Sequence, residues 1–588
     1  MHQVRGKRMS NAISVDSVRE FHFGESVRFD AWLYSMLMDN NIAYGMNPDI
    51  VASQEQMAFM VSLARDQVYL PCSDDTFKLL CQQTAPEELR RQYNRSWRII
   101  MRLVRSFTPE GQKRRRILQF CRFRFKQYVA QHTLIPSRLV KRMTDLVLAQ
   151  GNQLDDPWRQ LRRISTKRQL EMLDEAPVRD NLAAVPADAL AANSIASVRR
   201  MLNYVELSRL LCLSAMSRPW VETPPDAETV RQAMDTARET CAHLRHYFEA
   251  SAVRSGTVLF LCDADGGVVF DLAVANSLIR MGHKVIFAVK SGFFFYSPTL
   301  EDMEIDPSIR QMIGGGTVQH EPRMSKNELL RHLREYRLMV IGDGTRERLN
   351  LYRVSVTFSR AWKEADLILG KGWRVADVLM GSSHQYTRDV VCYWHDDQGF
   401  HIKLRQHAES AHKFSENDIA AQSANIIAGM REARMQGRTV MFYSCVIGSI
   451  PGETGTAIEI VRAFVDNLRK KMDNILIINP AEHFIEGMDG DDLMYMWEQV
   501  QRSGFIDVWR FQTVEDIEES FALLGRKVPP QWSGKDSTFS TGCTKEMRIA
   551  LDVQAKNREM QIIGPDPRRF FRRGEYGVGK YFDASIPH

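Results

Sequence analysis

Residues 258–271 read VLFLCDADGGVVFD: an apolar run, two acids broken by an alanine, two glycines, and a second apolar run. A short apolar run ending in acids and glycines is the pattern of a parallel strand that delivers side chains to the carboxyl edge of an α/β sheet, where ligands bind. The sequence downstream keeps alternating. Strands are predicted over 257–262, 284–289, 338–341 and 365–369, with helical sequence between them, the first helix at 270–281. Strands separated by helices imply parallel pairing through right-handed crossovers. A helix is predicted over 415–436, with Ser415 and Asp418 as a capping box and Gly437 just past its end. A second alternating series follows, with strands at 440–446, 475–479, 506–511 and 560–563 and helices near 457–470, 492–502, 514–523 and 545–556.

Upstream of this, residues 1–250 carry apolar residues at helical spacing, with few glycines and few strand-like runs. The predicted fold class is therefore α/β: an α-helical region over 1–250, then two Rossmann-like α/β lobes with mainly parallel sheets, over 251–410 and 411–588, the second ending in a basic tail. The clearest linker-like break is WVETPPDA at 220–227.

A chain of 588 residues exceeds one ordinary core, which agrees with two or three domains. Apolar and charged fractions of 44% and 26% are those of a globular protein. No stretch approaches the roughly 20 apolar residues a membrane helix needs, and the basic first ten residues lack the apolar run of a signal peptide, so the expected location is cytoplasmic, with no membrane partner. Nine cysteines stand singly with no CxxC pair, which argues against zinc ribbons, iron–sulfur ligation and a disulfide framework.

A net charge of +6 is mild for this length and by itself argues against nucleic acid as a partner. The most charged stretch is 113–128, KRRRILQFCRFRFKQY. On a helix, Ile117, Leu118, Cys121, Phe125 and Tyr128 share one face, and Arg114, Arg115, Arg122 and Lys126 project elsewhere. Arginines interleaved with aromatics suit a phosphate backbone or an acidic protein partner; a solvated face over a core stripe is the expectation that the mild overall charge favours. Arg162, Arg163, Lys167 and Arg168 continue the basic character.

Four motifs in order then resemble one family. They are Asp263 to Asp271 (DADGGVVFD), residues 282–290 (GHKVIFAVK), residues 297–302 (SPTLED), and the pair 351–355 (LYRVS) and 365–372 (ADLILGKG). Together they resemble the damage-control phosphatases, a family that also includes proteins proposed to be acidic-residue methyltransferases. The resemblance spans about residues 256–400. It implies a metal-dependent hydrolase, phosphatase-like, acting on a small phosphorylated metabolite, with a divalent metal such as manganese, cobalt, nickel or magnesium. Asp263 matches the first metal ligand of the family motif, whereas the motif's asparagine falls at Ala264 and its turn aspartate at Ser297 or Pro298. Asp265 and Asp343 are the carboxylates that supplement the set, and the family's later aspartate falls at Asn350. Asp263, Asp265 and Lys371 are the expected catalytic residues, with Gly266, Gly267, Thr299 and Gly372 about the phosphate. The altered motif implies reduced activity or, alternatively, a catalytically degenerate member that binds a ligand or another protein.

The same acids also resemble the haloacid-dehalogenase-type phosphatases, in which Asp263 would be the nucleophile and Asp265 the acid/base. That resemblance leaves the LYRVS and ADLILGKG segments without a place. A purely structural role is to cap the helix that follows.

In the second lobe, 448–456 (GSIPGETGT) leads from a strand into a helix and offers backbone N–H groups to an anion, although the P-loop lysine is missing and Glu453 opposes the charge. Cys543, at a predicted helix start beside Lys545, is a candidate nucleophile, with a buried structural thiol as the commoner outcome. His395 and His401 are read as two points of one strand about 20 Å apart, too far to share a metal.

Overall fold

The structure, a computed structural model, describes residues 17–19, 24, 26–42, 51–64, 67–82, 84–107, 111–150, 156–187, 194–249, 256–262, 266–450, 452–483 and 487–572. It divides into two compact units, Met1–Ala411 and His412–His588.

The first unit begins with helices, of which six matter below: α1 (Glu87–Phe107), α2 (Gly111–Ala130), α3 (Pro136–Gln150), α4 (Arg159–Asp174), α5 (Ile195–Glu222) and α6 (Ala227–Cys241). Next come β1 (Thr257–Leu261), α7 (Val268–Arg280), β2 (Lys284–Val289), α8 (Leu300–Ile305), β3 (Thr317–Gln319), β4 (Leu338–Gly342), α9 (Val356–Glu364), β5 (Leu367–Lys371), α10 (Trp373–Gly381), β6 (Asp389–Asp396) and β7 (Gly399–Arg405).

Seven strands form one sheet in the order β3-β4-β2-β1-β5-β6-β7, parallel throughout except for the β6–β7 hairpin. β1, β2, β4 and β5 are apolar runs buried along nearly their whole length, as strands covered on both faces must be. Phe260 of β1 stacks on Phe287 of β2, ring centroids 5.1 Å apart. Leu210, Leu211 and Leu213 of α5 and Phe270, Leu272 and Val274 of α7 share one core with them, so the helix preceding the sheet supplies part of its cover. The chain moves from β1 out to β2 and β4, then returns across β1 to β5. The order therefore reverses beside β1, and the crevice at its carboxyl end is where ligands bind in such sheets.

The second unit opens with α11 (Glu416–Met435) and continues β8 (Thr439–Ser444), α12 (Thr454–Lys471), β9 (Ile475–Ile478), α13 (Gly490–Gln501), β10 (Val508–Phe511), α14 (Val514–Leu523), α15 (Thr541–Lys556) and β11 (Gln561–Ile563). The Ser415–Asp418 capping box is present, and Gly437 lies past the helix end at φ 74°. Its four strands are all parallel, ordered β9-β8-β10-β11, which is again a doubly wound sheet. Among the described residues no helix is long and apolar enough to cross a membrane. All nine cysteines are unpaired, and eight of them are buried.

Candidate active site

The carboxyl ends of β1, β2 and β4 open onto a pocket of about 490 Å³, its mouth included. Each strand delivers its last side chains there: Leu261 and Cys262 after β1, Lys290 after β2, Asp343 after β4. Arg348 and Leu349 arrive from the loop before α9, Phe358 from α9, and Arg374 and Val375 from the first turn of α10. Phe294 and Ser297, from the loop after β2, complete the wall. Among the described residues three cations and one carboxylate thus line the pocket.

Asp343 is fully engaged. Its Oδ2 accepts from Lys290 Nζ at 2.5 Å and from Thr345 Oγ1 at 2.9 Å, and its Oδ1 accepts from the Thr345 N–H at 2.8 Å. With these bonds made, the carboxylate is a hinge of the pocket wall more than an open metal ligand. Asp263 and Asp265 lie outside the described residues, between Cys262 at the pocket and Gly266 beyond it. Among the described residues no three His, Cys, Asp or Glu side chains converge. The described donors therefore do not make a divalent-cation site, because one neutralised carboxylate leaves too few oxygens for an ion that takes six or more.

Lys371, expected among the catalytic residues, is engaged in an ion pair beneath the site. It is buried, and its Nζ turns back under α7 to donate to Asp271 Oδ1 at 2.6 Å and to the Gly266 carbonyl at 2.7 Å. Ser214 Oγ of α5 donates to the same Asp271 oxygen at 2.6 Å and lies 2.9 Å from the Tyr393 hydroxyl. Asp271 is wholly buried and its Oδ2 has no partner, and this burial pushes its pKa above the usual carboxylate range despite the opposing attraction of Lys371. The lysine fixes the glycine turn that leads into α7. Gly267 is the N-cap at φ 94°, and a Cβ there would lie 2.6 Å from Lys371 Nζ, so both the backbone angle and the lysine demand glycine.

The expected phosphate contacts are dispersed. Gly266 and Gly267 line a separate groove with Arg162, Gln169 and Tyr296, where α4 packs over the turn and Gln169 Oε1 accepts from the Val269 N–H at 3.1 Å. Thr299 is buried as the N-cap of α8, in a capping box with Asp302. Gly372 is the N-cap of α10, its N–H donating to the Tyr393 carbonyl at 2.8 Å. Asn350 is buried and caps its own loop, Oδ1 accepting from the Tyr352 N–H.

Of two readings outside this pocket, the first is corrected and the second, a buried structural thiol as the commoner outcome, is met. His395 and His401 do not lie along one strand: they flank the β6–β7 hairpin, where Trp394 pairs with His401, and His401 Nε2 is 2.9 Å from Asp396 Oδ1. Cys543 is not an activated thiol. It sits buried in the first turn of α15, its Sγ donating to the Cys445 carbonyl at 3.3 Å, and burial pushes its pKa well above the ordinary thiol value. In the loop at 448–456, Glu453 accepts from Trp532 Nε1 and Gln531 Nε2.

Sequence reasoning gave no role to Lys290, Arg348, Arg374 or Asp271. Lys290 was findable, as the residue just past a predicted strand on the ligand-binding edge, and Arg374, three residues past Lys371, was too; Arg348 comes from a loop whose approach to that edge is a tertiary fact.

A doubly wound, mainly parallel α/β sheet belongs to the broad class of proteins that bind ligands at the strand ends beside the switch point. More narrowly, the chain belongs to the damage-control phosphatase ARMT1-like domain family, whose model matches residues 81–375, half of its length. At the level of the family this supports a metal-dependent, phosphatase-like role toward small phosphorylated metabolites. Among solved structures, a DUF89 family protein from Pyrococcus horikoshii is similar at 16% sequence identity and a TM-score of 0.37, over 52% of this chain and 90% of its own. No curated protein matches the chain.

Proposed function

We propose that the chain is a phosphatase-like hydrolase that takes a small phosphorylated metabolite in the pocket around Lys290 and Asp343. The lining of that pocket carries the reading: among the described residues Lys290, Arg348 and Arg374 line it together with Asp343, which pairs with Lys290. A phosphoryl group is the anion the family handles, and arginine forks suit its oxygens. Phe294, Phe358, Leu349 and Val375 give the pocket an apolar side for the body of a small metabolite. Lys371 acts as a positioning residue, holding the Gly266–Gly267 turn through Asp271. Asp263 and Asp265, adjoining β1 in sequence, are the carboxylates left to hold a divalent cation.

A second reading, a binding module without turnover, is favoured by the closed bonding of Asp343 and by Ala264 at the family's asparagine position. One series of thermal unfolding midpoints separates the two. The purified chain is compared in chelator, then with manganese, cobalt, nickel or magnesium, each with and without inorganic phosphate, beside Asp263→Ala. Hydrolysis predicts a metal-dependent rise of a few kcal/mol at saturation that the variant loses, and release of phosphate from small phosphate esters. A rise with phosphate alone, and no turnover with any metal, selects the binding module. No response to phosphate at all removes the pocket reading itself.

A further inference from the structure

We propose that α1 and α2 form a binding face for single-stranded nucleic acid, with an arginine stripe for the phosphates and two exposed phenylalanines for the bases. On α1, Leu89, Tyr93, Ile100, Leu103 and Val104 face the core. Arg91, Arg95, Arg98, Arg102 and Arg105 recur at steps of three or four residues, so they share the opposite face, and all five are exposed. The stripe runs about 21 Å, with about 5 Å of rise between neighbours, a spacing of one to two phosphates along a strand. Arg91 pairs with Glu87 at 2.7 Å; Arg95, Arg98, Arg102 and Arg105 have no acidic partner among the described residues.

α2 extends the face. Arg115, Arg116, Arg122 and Lys126 are exposed and likewise have no acidic partner among the described residues. Between them stand Phe120 and Phe123, 40% and 59% exposed. The two helices pack together, with Trp97 of α1 and Phe125 of α2 at a centroid distance of 5.2 Å.

Three observations separate this face from an ordinary solvated one. A solvated stripe normally interleaves acids at four-residue spacing, yet α1 has no acid after Glu88 and α2 has none at all. α1 carries six arginines against two glutamates and α2 seven cations against none, an excess larger than the net +6 of the whole chain. The mild overall charge therefore hides a concentrated positive region balanced by acids elsewhere, and a polyanion is what complements it. Finally, among the described residues α1 exposes no large apolar side chain and α2 exposes Phe120 and Phe123 alone, short of the continuous apolar face a helix lying in a bilayer surface inserts. Exposed aromatics set among arginines are instead the stacking platforms of single-strand binders.

The test is fluorescence anisotropy of a labelled oligouridylate of about 20 nucleotides, longer than one binding site, titrated with the full chain at several potassium chloride concentrations. Engagement of four phosphates predicts a log–log salt slope of about −3. The triple variant Arg95→Glu/Arg98→Glu/Arg102→Glu is expected to bind at least 100-fold more weakly. Phe123→Ala is expected to bind about tenfold more weakly with an unchanged slope, because stacking releases no counterions. All four side chains are exposed, and an unaltered melting curve verifies the fold; Arg115→Glu/Arg116→Glu is the second route to the same loss should the triple variant melt early. Absence of binding at about 50 mM salt, equal binding by the charge-reversed variants, or retention on phosphatidylserine vesicles but not on the oligonucleotide would each overturn the proposal.

Discussion

The two units carry sheets of the same kind whose carboxyl edges are chemically opposite. At the first edge, Lys290, Arg348 and Arg374 surround Asp343, and Lys371 pairs with Asp271 beneath the glycine turn. At the second, the strand ends are closed by neutral groups: Gln512 at the end of β10 takes the Val446 N–H on its Oε1, Ser444 accepts from Trp509 Nε1, and Asn479 after β9 caps its own turn. Buried acids there are engaged: Glu546 of α15 accepts from Gln501 Nε2 at 3.0 Å, and Asp516 after β10 pairs with Arg510 at 2.6 Å. Both edges stand where a doubly wound sheet binds ligands, but among the described residues it is the first that lines a pocket with several cations. Topology supplies an address, and side chains decide whether anything is delivered to it.

The largest expected effect tests whether the buried ion pair of the first edge is structural. Lys371→Met leaves Asp271 wholly buried, without its cation and already one hydrogen bond short, so that it must stay charged and unpaired or take up a proton, and it should destabilise the first unit by about 3–5 kcal/mol in urea unfolding of the full chain. Adding Asp271→Asn should recover much of the loss, since no uncompensated charge remains. Lys545→Met in the second unit breaks a partly exposed pair with Glu498, 3.1 Å apart, and should cost under about 1 kcal/mol. Comparable losses from the two lysines would erase the distinction between the edges.

The next effect concerns the sign of the pH dependence. Burial pushes Glu546 up to about 7, so the native second unit holds a proton that the unfolded chain releases near pH 4.3. A raised acid loses stability as pH rises between those values and is flat above about 7; the shift corresponds to about 4 kcal/mol. In the first unit, burial lowers His384 to about 4, where its Nε2 accepts from the Leu70 N–H. That histidine is neutral when folded and charges at about 6.5 when unfolded, so its unit loses stability as pH falls from about 6.5 to 4. Urea titrations at pH 5.5 and 8 should therefore move the two units in opposite directions. Glu546→Gln should remove the alkaline loss of the second and leave the acid loss of the first.

How much of this was legible in the sequence follows from what each feature depends on. The alternating strands and helices, the Ser415–Asp418 box and the glycine turn before α7 are local patterns, and local patterns survive folding. The family resemblance rested on strand ends and turns, which is why it ran from β1 to β5 and missed the helices before them, although the family match covers residues 81–375. For Lys371 and Thr299 the motif gave a residue's identity and not its direction: the lysine points under the helix and the threonine caps one. Arg348 was invisible because a loop's approach to a neighbouring strand end leaves no periodic trace. The arginine stripe on α1 is periodic in sequence, but whether each cation has an acid opposite it depends on tertiary placement.

The smallest effect sharpens the contrast at the level of binding. If the first edge is an anion site, removing one of its three cations should weaken inorganic phosphate without unfolding the unit, because Arg374 sits half-exposed in the first turn of α10. Arg374→Gln should raise the phosphate Kd about tenfold, or about 1.4 kcal/mol, measured as the concentration needed to raise the thermal midpoint. Lys545→Gln, the corresponding neutralisation near the N-terminus of α15, should leave phosphate protection unchanged. If Arg374→Gln is silent and Lys545→Gln is not, phosphate binds at the second edge, through the backbone amides of α15 and the loop before α12, and the charge argument for the first edge fails.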